Sequence, residues 1–399
     1  MKKASKYIVV HSGARDYYSL AKALYNRNKL QTLITDFALS IAGSNIARFR
    51  IPLPKKYFVH FPFYFFLTKI FRIDSDKFFI KKYLKTILKY SAQKNAVIVF
   101  SYYAKGIVNV LKKNNYTTIV FQIHPETLYV KERLQYANEC LRKFENINCD
   151  DIVDNEIETL NDDENLRYDF SSVDNIICAS SETKKSLLFA GYTGNIHVLP
   201  YYSKFQIKNK NDIYKKKIEN FQTMSKINII YVGTISIRKG ILHLLDKLIS
   251  TGFGNCTLHI CTRHNLNLSV LDEYIKDGRI VIHLNKNDEE VQDLIINSHY
   301  LVLPSFVEGF GLSLIEAISL VTPIIATDNT SLTDISKIAS VGFLCNDVYQ
   351  IADLITSNDL SNFESYVGML DNCLLVSDNM SEEEYVHSMD SILESIENK

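Results

Sequence analysis

At 399 residues the chain is long for a single core and fits two domains of roughly 150 to 200 residues each. Its 45 Lys and Arg balance 45 Asp and Glu, which removes any whole-chain charge argument for binding nucleic acid. Seven cysteines (140, 149, 178, 256, 261, 345 and 373), odd in number and nowhere spaced as CxxC, suggest neither a disulfide framework nor a zinc site and point to a reducing cytoplasm.

In chain order, apolar runs alternate with stretches of helical spacing. The opening MKKASKYIVVHSGA carries an apolar run of only four residues, too short for a signal-peptide core, and reads as a first strand over 6–11. Further strands are expected at 32–35, 96–100, 117–122, 175–178 and 196–200, with helices at 17–25 and 106–112 between them. Short apolar strands interleaved with helices predict a parallel, doubly wound sheet.

Two segments of this half stand apart. Residues 41–90 hold eleven Lys or Arg against two acids, and FVHFPFYFFLTKIFRI packs seven aromatics into sixteen residues. Aromatics beside cations suit a membrane headgroup boundary, and they equally suit a core helix with basic neighbours in solvent. Residues 136–170 carry eleven acids, and the run 150–164 is expected to be a solvated loop.

Residues 201–226 are polar and lysine-rich with little periodicity, and read as an interdomain connection. The alternation then restarts, with strands expected at 227–233, 257–261, 279–284, 300–305 and 323–327 and helices at 240–249 and 288–297. Near the end, Ser381 and Glu384 form a capping-box pattern ahead of apolar residues at 385, 389, 392, 393 and 396, which predicts a closing amphipathic helix. No run of about 18 uncharged apolar residues exists to span a bilayer.

The chemistry concentrates in SFVEGFGLSLIEA, residues 305–317. A strand runs into a glycine loop and then a helix, so the helix N-terminus lies at the carboxyl end of a parallel strand, where α/β folds bind ligands and free N–H groups favour phosphate. Glu308 precedes the helix and is expected to face a cleft; Glu316 sits about one turn inside it, within reach of ligand hydroxyls. In YVGTISIRKG, Gly233 ends a strand, and Arg238 and Lys239 stand on the same rim, where they can neutralise a diphosphate. Taken singly, these groups are ordinary solvated charges; their combination favours a site. Asp74-Ser-Asp76 matches a metal-binding DxD pattern, yet sits in the aromatic basic stretch and is taken as a chance match.

EGFGLSLIEA, followed by the proline-led TPIIATDN, resembles the Glu-x7-Glu signature of retaining glycosyltransferases of family 4, which have the GT-B fold of two Rossmann-like domains. YVGTISIRKGI resembles the phosphate loop of that family, and DNIICASSETKKSLLFAGYTGNIHVLPYYSKF its end-of-first-domain segment. HSGARDYYSLAKAL, LITDF and FQIHPETL resemble a bacterial subgroup. The resemblance implies two α/β Rossmann-like domains facing across a cleft, at 1–204 for the acceptor and 205–375 for the donor, with a helix over 376–399 crossing back.

It also implies roles for individual residues. Glu316 binds ribose hydroxyls of a UDP- or GDP-sugar and Glu308 the hydroxyls of the donor sugar. Arg238 and Lys239, with Gly233 and the backbone around Gly309, Phe310, Gly311 and Leu312, hold the diphosphate. His124 faces the anomeric carbon, and Gly13 allows close approach of donor or acceptor. Two positions depart from the family: Thr234 stands where many members have Arg, and Ser12-Gly13-Ala14-Arg15 replaces a loop that often has two adjacent glycines. No metal or other cofactor is implied beyond the donor. The expected activity is hexosyl transfer to a glycan or polyprenyl-linked acceptor in bacterial surface polysaccharide synthesis, on the cytoplasmic face, with residues 48–89 as a peripheral membrane contact. A nucleotide-sugar epimerase and a non-catalytic GT-B binding subunit are the alternatives.

Overall fold

The computed structural model describes residues 6–11, 18–36, 53–63, 75–144, 146–147, 167–205, 207, 209–263 and 268–398. Gly13, Asp74 and the acidic run 150–164 lie outside them.

The first half places β1 (Lys6–Val10), α1 (Ser19–Asn26), β2 (Leu30–Ile34), β3 (Phe58–Val59), α2 (Ser75–Ile87), β4 (Asn95–Phe100) and α3 (Ser101–Lys113) in succession. They are followed by β5 (Thr118–Gln122), α4 (Thr127–Leu141), β6 (Asn175–Cys178), α5 (Ser181–Phe189) and β7 (Asn195–Val198). The seven strands form one parallel sheet in the order β3-β2-β1-β4-β5-β6-β7. Helices cover both faces, so β4, β5 and β6 are buried at every position, with apolar centres and polar residues only at their ends.

The second half repeats the plan with α6 (Lys210–Thr223), β8 (Ile227–Val232), α7 (Ile241–Thr251), β9 (Cys256–Thr262), α8 (Asp272–Lys276), β10 (Ile280–Leu284) and α9 (Asp288–Asn297). After these come β11 (Tyr300–Leu303), α10 (Leu312–Ser319), β12 (Ile324–Thr327), α11 (Leu332–Ile335), β13 (Gly342–Cys345), α12 (Val348–Thr356), α13 (Phe363–Asn379) and α14 (Glu382–Glu397). The sheet is parallel in the order β10-β9-β8-β11-β12-β13. Strand order reverses between β1 and β4 and again between β8 and β11, so each sheet offers a crevice at its carboxyl edge.

Among the elements not expected from the sequence, which include β3, α4, α5, α12 and α13, two have a clear physical reason. The segment expected as a polar connection contains α6, whose buried positions are Lys217 and Phe221. A lysine on the core face breaks the apolar rhythm; its Nζ donates to Ile295 O (3.0 Å), Thr322 Oγ1 (2.7 Å) and Ser298 O, closing the carbonyl end of α9. Strand β13 was not foreseen because it opens on Gly342. A Cβ there would stand 1.9 Å from Ile324 O, so close pairing with β12 requires the residue that weakens the strand signal.

Helix α2 buries Phe79, Tyr83 and Ile87 while Lys81, Lys85, Leu88 and Lys89 remain exposed. Helix α14 is capped by Ser381, whose Oγ accepts from Glu384 N at 3.3 Å, and buries Tyr385, Met389, Leu393 and Ile396. Its polar side meets the first domain: Tyr7 OH donates to Glu397 Oε1 (2.6 Å), Lys22 pairs with Glu382 (2.5 Å) and Arg27 with Asp390 (3.0 Å). Among the described residues no helix is long and apolar enough to cross a membrane.

Candidate functional site

The site grows from the end of β11. The chain leaves the sheet at Pro304, runs through a short loop and enters α10 at Gly311, whose φ of 82° lies in the left-handed region. A Cβ at Gly311 would also stand 2.9 Å from Leu303 Cδ2, so only glycine lets the loop turn this tightly into the helix. Gly311 brings no capping side chain, and the first-turn N–H groups of α10 lie at the carboxyl rim of the sheet.

The loop after β8 lies directly against this one. Gly240, the residue before α7, has φ 69°, and a Cβ on it would stand 1.9 Å from Pro304 O. That approach lets Phe306 N donate to Arg238 O at 2.9 Å and brings the two preceding cations onto the glutamate. Arg238 Nη1 donates to Val307 O (3.1 Å) and reaches Glu308 Oε2 (3.3 Å), while Lys239 Nζ makes a direct contact with the same oxygen. Glu308 is 7% exposed and bound to both cations. Burial acts to raise its carboxyl, but Lys239 and Arg238, with His124 behind them, win and hold it at about 2, so it is ionised. Burial lowers the Lys239 ammonium from its ordinary value, and the charge of Glu308 counters this.

The first domain supplies the opposite wall. His124 follows β5, its Nε2 in hydrogen-bond contact with Tyr102 OH and its carbonyl accepting from Gln122 Nε2 at 2.8 Å. Gly309 lies so close to this segment that a Cβ would stand 2.6 Å from Ile123 O and 3.4 Å from His124 Cα. His124, Arg238, Lys239, Glu308 and Gly309 therefore converge where the two strand ends face each other.

The remaining expected residues sit around that centre. Gly233 closes β8, donating its N–H to Cys261 O at 3.1 Å. Phe310 is buried edge-on against Tyr201, with centroids 5.5 Å apart, and Leu312 at the helix tip is exposed. Glu316 is deeper in α10, half-buried and 3.5 Å from Lys204 Nζ. Burial raises its carboxyl and Lys204 offsets part of the rise. Tyr102, Lys204 and Gly240 were not singled out as site residues, although Tyr102 follows a strand end and Gly240 completes RKG.

Residues 212–357 match the family model described as glycosyl transferases group 1. An uncharacterized 41.2 kDa protein in the cps region of Klebsiella pneumoniae is 28% identical over 192 residues, which is 47% of this chain and 52% of that protein. The match thus spans about half the length of that curated relative. Among solved structures, sucrose-phosphate synthase from Thermosynechococcus elongatus superposes with a TM-score of 0.62 at 15% identity, over 98% of this chain and 99% of that one. WaaG, a glycosyltransferase involved in lipopolysaccharide biosynthesis, superposes with a TM-score of 0.58 at 14% identity, over 97% and 99%. At these identities the structures speak for the fold, and the family model for the second domain. Residues 212–357 thus resemble a group 1 glycosyltransferase domain, set within the two-domain GT-B fold that these solved structures share.

Proposed function

We propose that the protein is a retaining glycosyltransferase that moves a sugar from a nucleoside-diphosphate sugar to a glycan or polyprenyl-linked acceptor in bacterial surface polysaccharide synthesis. The observation that carries this reading is the meeting of Arg238, Lys239 and ionised Glu308 beside the N-terminus of α10, with His124 facing them. Two fixed cations and a helix tip suit the charge that grows on a departing diphosphate. A diphosphate arriving there competes for Lys239 and Arg238 and frees the carboxylate of Glu308 to accept from hydroxyls of the donor sugar. Glu316, deeper in α10, is assigned to the ribose.

In the reaction the bond from the anomeric carbon to the diphosphate oxygen breaks and the acceptor oxygen bonds to that carbon on the same face. The acceptor proton passes to the leaving diphosphate. With the two side-chain cations balancing the leaving group, no metal ion is required, and EDTA should leave turnover unchanged. The surface-polysaccharide assignment draws on WaaG and the cps-region relative, and the exposed lysines of α2 are assigned to an anionic membrane face.

A thermal-shift screen over UDP, GDP and their sugars tests the reading, since a ligand of the folded state raises its apparent stability. A selective shift by one nucleotide supports it, and no shift by any of them counts against it. Transfer of labelled sugar from the selected donor then establishes the reaction; epimerisation of that donor in an acceptor-free sample would replace it with an epimerase.

A further inference from the structure

The loop that carries Glu308 is held by the first domain at both ends. On one side Arg133, projecting from α4, donates through Nε to Phe306 O (3.2 Å) and through Nη2 to Asn329 Oδ1 (3.1 Å). Asn329 in turn accepts at its carbonyl from Glu308 N (3.1 Å). On the other side Gly309 O accepts from Thr183 Oγ1 (3.0 Å) and from Ser180 Oγ, both at the start of α5. The two grips flank Glu308, at the residue two before it and the residue one after. A polar cavity of about 290 Å³, lined by Arg133, Tyr136, Lys185, Asp328 and Asp347, lies beside the Arg133 grip. The loop is therefore not packed solid on that face and has room to take another position when the guanidinium lets go.

We propose that Arg133 is a positioning residue that couples closure of the two domains to the placement of Glu308. The inference rests on the reading of Glu308 as a ligand of the donor sugar. Arg238, Lys239 and Glu308 all belong to the second domain, so movement of one domain against the other need not separate them. Arg133 belongs to the first domain, so its bonds to Phe306 and Asn329 form only in the closed arrangement. A planar guanidinium is suited to this task because it aims two donors at two fixed acceptors at once, which an ammonium cannot do.

Wild type, Arg133→Ala, Arg133→Lys and the near-isosteric Thr183→Val are compared as full-length proteins. Hydrogen exchange of the amides of 305–311 should quicken at least tenfold in Arg133→Ala, less in Arg133→Lys, and measurably in Thr183→Val, with the strands unaffected. Affinities for UDP and GDP, measured by calorimetry, should stay within twofold, while kcat for turnover of UDP-glucose or GDP-mannose falls at least tenfold. Unchanged exchange over 305–311 overturns the proposal, and so does a loss of turnover matched by an equal loss of diphosphate affinity, which marks a general structural role. If wild type turns over none of the nucleotide sugars of the thermal-shift screen, the transferase reading fails, and the exchange measurement alone still decides whether Arg133 controls the loop.

Discussion

Glu308 is buried at the junction of two domains and is nonetheless charged, because Lys239 and Arg238 approach the same carboxylate oxygen. Its carboxyl titrates at about 2 in the fold against an ordinary value of 4.5, so the native state binds fewer protons than the unfolded chain below pH 4.5. The stabilisation it contributes is complete above about pH 4.5 and is lost as the pH falls toward 2. Glu308→Gln should accordingly be less stable than wild type near neutrality, with the gap narrowing over that acid range; a gap independent of pH in denaturant titrations would contradict this. Lys239→Ala and Glu316→Gln should each cost about 10²-fold or more in transfer, with the melting temperature of Glu316→Gln within a few degrees of wild type, and full activity in both removes the assigned roles. The approach of Arg238 and Lys239 to Glu308 was legible in outline because glycines and strand ends frame both loops. Arg133 was not, because its partners are 173 and 196 residues away and one of them is a backbone carbonyl, which leaves no trace in residue identity.

At the scale of elements, the position of the β8 loop against β11 depends on one missing side chain. Gly240→Ala adds a Cβ at 1.9 Å from a main-chain oxygen that cannot rotate away, on a backbone with φ 69°. The expected cost is about 3 kcal/mol or more in denaturant unfolding, together with loss of donor binding as Arg238 and Lys239 are pushed off Glu308. Strands such as β4 and β11 were readable because burial on both faces leaves their residues 96–100 and 301–303 apolar. The same physics hid α6, where a buried lysine bonded to carbonyls and a threonine hydroxyl imitates a solvent-facing one. Residues 48–89 are divided: α2 shows a core face of Phe79, Tyr83 and Ile87 and exposed lysines, while the aromatics at 64–71 lie outside the described residues.

For the whole molecule, α14 ties the end of the chain to the first domain through Glu382, Asp390 and Glu397. Removing residues 381–399 exposes the apolar surface under Tyr385, Met389, Leu393 and Ile396, worth several kcal/mol at about 25 cal/mol per Å². The truncated protein should melt several degrees lower and lose at least tenfold in turnover, yet bind the diphosphate within a few-fold of wild type, because α10 and the β8 loop are untouched. Equal loss of both quantities would show instead that the second domain unfolds. The division into two doubly wound halves was visible from the alternation of strands and helices. How those halves meet was not, since the interface is written in contacts a hundred residues or more apart.

The first domain reaches the Glu308 loop through Phe306 O and Gly309 O, atoms that every residue possesses. The polar part of this joint recognises the path of a backbone, while ring contacts of Phe306 with Tyr136 and of Phe310 with Tyr201 add to it. Substitutions along this loop should therefore disturb the seating of the two domains little so long as its course, these rings and Gly309 are kept.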